Sequence, residues 1–299
     1  MASKSHIGTG AASFAVFLSS ALWGLFWIPI RYFNDIGIAG EWALVAMNTP
    51  AMLVLLCVFI ATFSRQRPHL RAATLIGIAS GIGFAFYTVG LIHTSVIRAT
   101  LLFYLTPIWS TIIGAIWLAE PVRWQRATAV GLGMAGLACL VTGDNTAPFN
   151  FGDALAFLSG IAWAIAAALI KRNSTVTVTS MTLIQYIVVA IVALGVGYSI
   201  APLATPAPDR VIAALPFIIG VSLGLVLPAT LLLFWASRFL FPGRVGLLMM
   251  SEVLVAVISA SILIPAERLD TLQWLGAVLI ISASIAELLP SRTRITVPE

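Results

Sequence analysis

Glu252 stands well inside an apolar stretch of this 299-residue chain, in the run LLMMSEVLVAV. Burying an ionisable group is costly unless it meets a partner. A Glu there can carry a proton, meet a substrate ammonium, or pair along its own helix with Arg244, two turns earlier. Aromatic residues recur at similar depth: Trp23 and Trp27, Tyr87, Tyr104, and Trp163. A Trp or Tyr near the middle of an apolar run either lines a cavity or packs between helices, and its polar atom needs a partner. Trp23 and Trp27 are four residues apart, so on a continuous helix they would point the same way. Asn48, Gln185 and Tyr186 are further polar groups in apolar runs. Each can bond across helices or meet a polar substrate.

These groups bind and orient; they do not make a nucleophile with its base. The one enzyme-like match, Gly220-Val221-Ser222-Leu223-Gly224, fits G-x-S-x-G but lies inside an apolar helical run. A nucleophile elbow needs a strand-turn-helix and a His partner. His6, His69 and His93 lie outside the runs or at their ends. There is no H-E-x-x-H, no phosphate-cradling Gly loop and no pair of embedded acids. Cys57 and Cys139 sit in apolar runs without disulfide or metal-type spacing. No catalytic residue, metal or cofactor is expected.

The elements that hold these residues follow from composition. The chain is 60% hydrophobic and 9% charged, with mean hydropathy +1.05. Soluble domains carry about 25% charged residues, so the surface of this chain is not built for water. Apolar runs of about 20 residues recur from end to end. In hydrocarbon every backbone polar group must be paired internally, which leaves helices or a closed barrel. Barrel strands alternate apolar and polar over about 10 residues, whereas these runs are continuously apolar. The reading is an all-α polytopic membrane protein with ten spans: Ser13–Tyr32, Glu41–Phe63, Ala72–Ile92, Ile97–Leu118, Gln125–Gly143, Asp153–Lys171, Ser180–Ala201, Ile212–Trp235, Gly243–Ile264 and Leu272–Pro290. The first run follows Lys4 and contains two Trp; it reads as a retained span, not a cleaved signal.

The net charge is +5, but the cations are scattered singly and in pairs between the runs. They read as topology signals, not as a nucleic-acid surface. Twelve of the 16 fall on one side: Lys4, Arg65, Arg67, Arg71, Arg123, Arg126, Lys171, Arg172, Arg238, Arg244, Arg292 and Arg294. Arg31, Arg98, Arg210 and Arg268 fall on the other. This puts both termini in the cytoplasm.

The halves echo one another. Arg98 to Pro121 matches Arg244 to Arg268: Arg98 with Arg244, Leu101-Leu102 with Leu247-Leu248, and Glu120 with Glu267 once one residue near Pro265 is allowed. Trp23 to Arg31 (WGLFWIPIR) matches Trp163 to Lys171 (WAIAAALIK), each Trp being followed eight residues on by a cation. Five spans per half make the second half enter from the opposite side. The expected domains are residues 1–146 and 147–299, an inverted-topology repeat. Pro107 and Pro228 lie deep enough to act as hinges. Gly77 and Gly81, and Gly220 and Gly224, have the spacing that lets helices approach closely.

With the pattern L-T-P-I-W…L-A-E in the first half, and S-E-V-L…P-A-E-R-L followed by Gln273-Trp274-Leu275-Gly276 in the second, the chain resembles the drug/metabolite transporter superfamily, EamA type. Its aromatic first and fourth spans look most like the YddG-type exporters of aromatic and other neutral amino acids. The proline expected after Glu252 is Val253 here, so the two halves differ at that point. The resemblance implies helices around a central cavity that opens alternately to each side, with the fifth and tenth spans peripheral. It favours Trp23, Tyr87, Tyr104, Trp163 and Glu252 as cavity residues.

The expected function is export of aromatic and other neutral amino acids or related small metabolites across the inner membrane, by rocking of one half against the other. One embedded acid without a second points to facilitated diffusion or weak coupling. The rival within transporters is proton-coupled export of cationic drugs or polyamines, which would prefer more embedded acids. A membrane receptor or scaffold would need a soluble domain or large partner surface, and the loops are too short for one.

Overall fold

The structure is a computed structural model that describes residues 9–38, 40–94, 96–122, 124–140, 148–200, 205–263 and 271–288. Lys4, His6, Arg123, Pro265, Glu267, Arg268, Arg292 and Arg294 lie outside the described residues, as does the side chain of Arg98. Every regular element among the described residues is helical. In order they are α1 (Thr9–Trp23), α2 (Trp27–Asp35), α3 (Glu41–Ala61), α4 (Phe63–Gln66), α5 (Leu70–His93), α6 (Val96–Phe103), α7 (Thr106–Leu118), α8 (Trp124–Leu140), α9 (Phe151–Arg172), α10 (Val178–Ile200), α11 (Pro208–Val221), α12 (Leu227–Ser237), α13 (Pro242–Met249), α14 (Ser251–Leu263) and α15 (Thr271–Leu288).

Among the described residues seven stretches are long and apolar enough to cross a membrane: Thr9–Phe33, Glu41–Ala61, Phe63–His93, Phe151–Arg172, Val178–Val196, Pro208–Ser237 and Pro242–Leu263. The other three expected spans coincide with α6 and α7, with α8, and with α15, which are helical but shorter or interrupted. Large apolar side chains face outward, among them Ile116, Ile191 and Ile262. That is the surface a bilayer covers, since lipid removes the penalty that water would impose. Trp124 and Trp274, near helix ends, are exposed as interfacial anchors are.

Several spans are interrupted, and prolines account for most of the breaks. A proline cannot donate to the carbonyl four residues back, and its ring crowds that carbonyl. Pro29 does this to Leu25, and the chain between α1 and α2 turns through Gly24-Leu25-Phe26 with tightened bonds: Phe26 N–H donates to Trp23 O at 2.9 Å, and Ile28 N–H to Leu25 O at 3.1 Å. Pro107 does it to Phe103, whose carbonyl accepts the Thr106 hydroxyl instead. Ahead of Pro228 one π-helical turn, Ser222–Val226, inserts an extra residue between α11 and α12. Pro107 and Pro228 both sit in the first turn of the helix that follows, where the missing N–H costs little. Pro107 is buried and Pro228 is exposed. The break between α13 and α14 at Met250 has no proline. It is supported by α1, where Ser251 Oγ donates to Phe17 O at 2.9 Å.

The two halves of the sequence are interleaved in space. α5 packs against both α9 and α10, α1 against α12, α13 and α14, α7 against α13, and α8 against α15. Close approach rests on glycine at the α5–α10 seam, where a Cβ on Gly77 would lie 2.6 Å from Ile184 and one on Gly81 2.7 Å from Val188. Gly220 and Gly224 make no such seam, since a Cβ on either would meet open space. Ser222 of the enzyme-like motif is structural: Ala51 N–H, next to Pro50 within α3, donates to its Oγ at 3.0 Å.

Candidate substrate cavity

The three breaks at 24–26, 104–105 and 250 converge on one cavity, whose empty space, counted together with the open solvent at its mouth, is about 620 Å³. Residues beside each break line it: Trp23 and Phe26 at the first, Phe103 at the second, Met249 and Glu252 at the third. The α5 face Phe84, Tyr87, Thr88 and Leu91 forms a second wall, and Trp163, Gln185, Thr230, Leu233 and Ile30 complete it. The rings pack on one another. Trp23 lies 5.0 Å from Phe26 and 5.1 Å from Phe84, and Tyr87 lies 4.4 Å from Phe103 (centroid distances).

Several polar groups here are already committed. Trp163 Nε1–H points at Met249 Sδ, 2.9 Å away. Thr88 donates to Phe84 O at 2.7 Å and Thr230 to Val226 O at 2.8 Å. Two acceptor groups stand apart. Gln185 is buried, and its carboxamide oxygen has no hydrogen-bond partner. Glu252 is half-buried and faces Tyr104, whose own hydroxyl finds no partner at hydrogen-bonding distance. Among the described residues no Lys, Arg or His lines the cavity, and no cluster of His, Cys, Asp and Glu could hold a metal ion.

Of the residues singled out in the sequence, Trp23, Tyr87, Trp163 and Glu252 come together on the cavity wall. Tyr104 lies behind it, stacked edge-on against Phe103 at 4.9 Å. Trp27 does not share the direction of Trp23, because the turn at 24–26 interrupts the helix; its indole N–H donates to Ser259 Oγ at 3.0 Å. Asn48 is buried in α3 and donates to Leu44 O at 2.8 Å. Tyr186 donates to Thr230 Oγ1 at 3.0 Å and fastens α10 to α12. Neither lines the cavity. Phe84, Thr88 and Leu91 had a legible signal: with Tyr87 they follow the spacing i, i+3, i+4, i+7 of one helix face. Leu233 and Met249 had none, being apolar residues in apolar helices.

At one end of the bundle Glu120 and Arg126 form a buried ion pair. Gly243 N–H, at the start of α13, donates to Glu120 Oε2 at 3.4 Å. Nearby, Lys171 donates to Phe239 O at 3.0 Å and lies over the Phe241 ring. At the other end His93 Nε2 lies 3.6 Å from Glu41 Oε1, and Thr94 donates to Asp153 Oδ1 at 2.7 Å. Asp153 also forms a capping box with Asn150 at the start of α9.

The profile of the EamA-like transporter family matches residues 10–142 and, a second time, residues 150–286. The chain belongs to the EamA-like transporter family. It is thus a multi-pass membrane transporter for a small molecule. A solved crystal structure is similar in fold to this EamA-like chain, with TM-score 0.64 at 20% identity, over 92% of this chain and 96% of its own. No curated protein matches.

Proposed function

We propose that this EamA-like protein exports aromatic and other neutral amino acids, or related small metabolites, across the cell's inner membrane by alternating access. The observation that carries this reading is the cavity itself: six aromatic side chains around a floor that offers Glu252 and the open Gln185 oxygen. An apolar wall with a few placed polar groups is the usual build of a small-molecule site.

The architecture is ten spans in two inverted five-helix repeats, residues 1–146 and 147–299, with both termini cytoplasmic. Two findings support the repeat. The family profile matches twice in tandem. The breaks at Tyr104 and at Met250 each fall six residues after the matched arginines, Arg98 and Arg244. By the charge count the end tied by Glu120 and Arg126 is cytoplasmic. The cavity lining runs from Glu252 toward Ile30 and Leu91 at the opposite end, which supports an outward-facing state. Because the halves are interleaved, alternation is assigned to bending at the three breaks, not to whole halves rocking. A single embedded acid favours facilitated diffusion or weak proton coupling.

The test is counterflow in proteoliposomes preloaded with Trp, Phe, Met, Thr, Lys or Glu, with a cationic dye alongside. Exchange with the neutral and aromatic members is expected. Movement of the dye with no exchange of any amino acid would overturn the reading in favour of cationic drug export.

A further inference from the structure

An amino acid offers two charged groups, an ammonium and a carboxylate, and the cavity is complementary to only one. Among the described residues its one ionisable lining residue, apart from the phenol of Tyr87, is Glu252. Gln185 adds a buried carboxamide oxygen that accepts no hydrogen bond. The rest of the wall is rich in aromatic rings, whose faces attract ammonium groups.

For a carboxylate the same wall offers only neutral donors, the Trp23 indole N–H, the Gln185 amide and the Tyr87 hydroxyl. No Lys, Arg or His among the described residues lines it. Arg31 follows the lining residue Ile30 but is itself exposed and is not part of the wall. The indole N–H of Trp163 is taken by Met249, and the hydroxyl hydrogens of Thr88 and Thr230 are taken by helix carbonyls. A helix N-terminus can hold an anion. The helix that begins at the cavity floor, α14, already carries Glu252 in its first turn.

We propose that the cavity recognises the ammonium of its substrate through Glu252, with Gln185 beside it, and has no cationic subsite for a carboxylate. Aromatic primary amines and carboxyl-blocked aromatic amino acids are then ligands as good as the amino acids themselves. This rests on the reading of the cavity as the transport site, and it names the substrate feature that site selects.

The test uses the purified full-length protein in detergent and reads dissociation constants from intrinsic tryptophan fluorescence. The ligands share one ring and differ in charge: phenylalanine, phenylalaninamide, 2-phenylethylamine, phenyltrimethylammonium and 3-phenylpropionate. The three cations should bind as tightly as phenylalanine or tighter, and 3-phenylpropionate about tenfold weaker or worse. Glu252→Gln should weaken the cations by about tenfold and leave the anion unchanged, while Glu252→Asp keeps the cation-over-anion order. The wild-type series decides the matter even if a variant fails to fold. Equal binding of 3-phenylpropionate and 2-phenylethylamine, or binding of phenylalanine without any of the carboxyl-free cations, overturns the ammonium assignment and leaves the transport site standing. Failure of every ligand to bind, whatever its charge, overturns both.

Discussion

Replacing Gly24 by alanine places a methyl group where α14 already is. The new Cβ would lie 2.5 Å from Glu252 O, 2.7 Å from Val255 Cβ and 3.0 Å from Ala256 N. None of these is the far end of a flexible side chain, so the strain cannot be relieved by a rotamer change. Ordinary contact between such atoms is about 3.5 Å, so α14 must retreat by about 1 Å. Overpacking of this kind costs about 1–3 kcal/mol. The retreat carries Glu252 with it, and a charged contact misplaced by about 1 Å loses much of its value. Gly24→Ala should therefore lower thermal stability in detergent and weaken substrate binding by about tenfold or more. Gly131→Ala is the control: it lies on the outer face of α8, with nothing within 4 Å of its Cβ. A Gly24→Ala protein as stable and as tight-binding as Gly131→Ala would refute the claim that Gly24 seats the cavity floor.

Other perturbations separate the cavity from its supports. Arg126→Gln leaves Glu120 buried without this partner and should destabilise by about 3–5 kcal/mol, whereas Glu120→Gln with Arg126→Gln together should cost much less, since no buried charge is left over; thermal unfolding of the three variants checks the order. Tyr186→Phe removes the bond to Thr230 that ties α10 to α12, and should lower stability by about 0.6 kcal/mol in thermal unfolding. Trp163→Ala opens space beside Phe234 and Met249, and counterflow of aromatic amino acids should fall steeply; normal transport would remove Trp163 from the site. Glu252→Gln should abolish any pH dependence that counterflow shows in the wild type, and retention of that dependence would rule out Glu252 as a proton carrier.

Much of the fold could be read from the sequence because a bilayer imposes so simple a rule. Long apolar runs gave the helices, and the turn at His93-Thr94 falls between α5 and α6, where the brief polar stretch placed it. The breaks were half legible. Pro107 marks one directly, and Pro29 explains another. Met250 has no marker, because its break is maintained by contacts from α1 that no local residue type announces. The cavity was legible where a residue was unusual for its surroundings, as with Glu252, Trp23 and Trp163. It was illegible where helix continuity had to be assumed. Trp27 pairs with Trp23 only on an unbroken helix, and the break turns it onto Ser259. Asn48 and Tyr186 show the opposite limit: a polar group in an apolar run needs a partner, but its type does not say whether that partner is a ligand or the neighbouring backbone.

The seating of α5 between α9 and α10 bears on how the protein meets its lipids. Glycine brings these helices so close that they form a fixed frame drawn from both halves of the chain. The members to which the proposed bending is assigned, α1 with α2, α6 with α7, and α13 with α14, are broken beside the cavity. Opening one mouth and closing the other then rearranges the inside while the outline shown to the bilayer stays nearly constant. A transporter built this way does little work against the membrane in each cycle. Its turnover should vary little between reconstitutions in thin and thick bilayers.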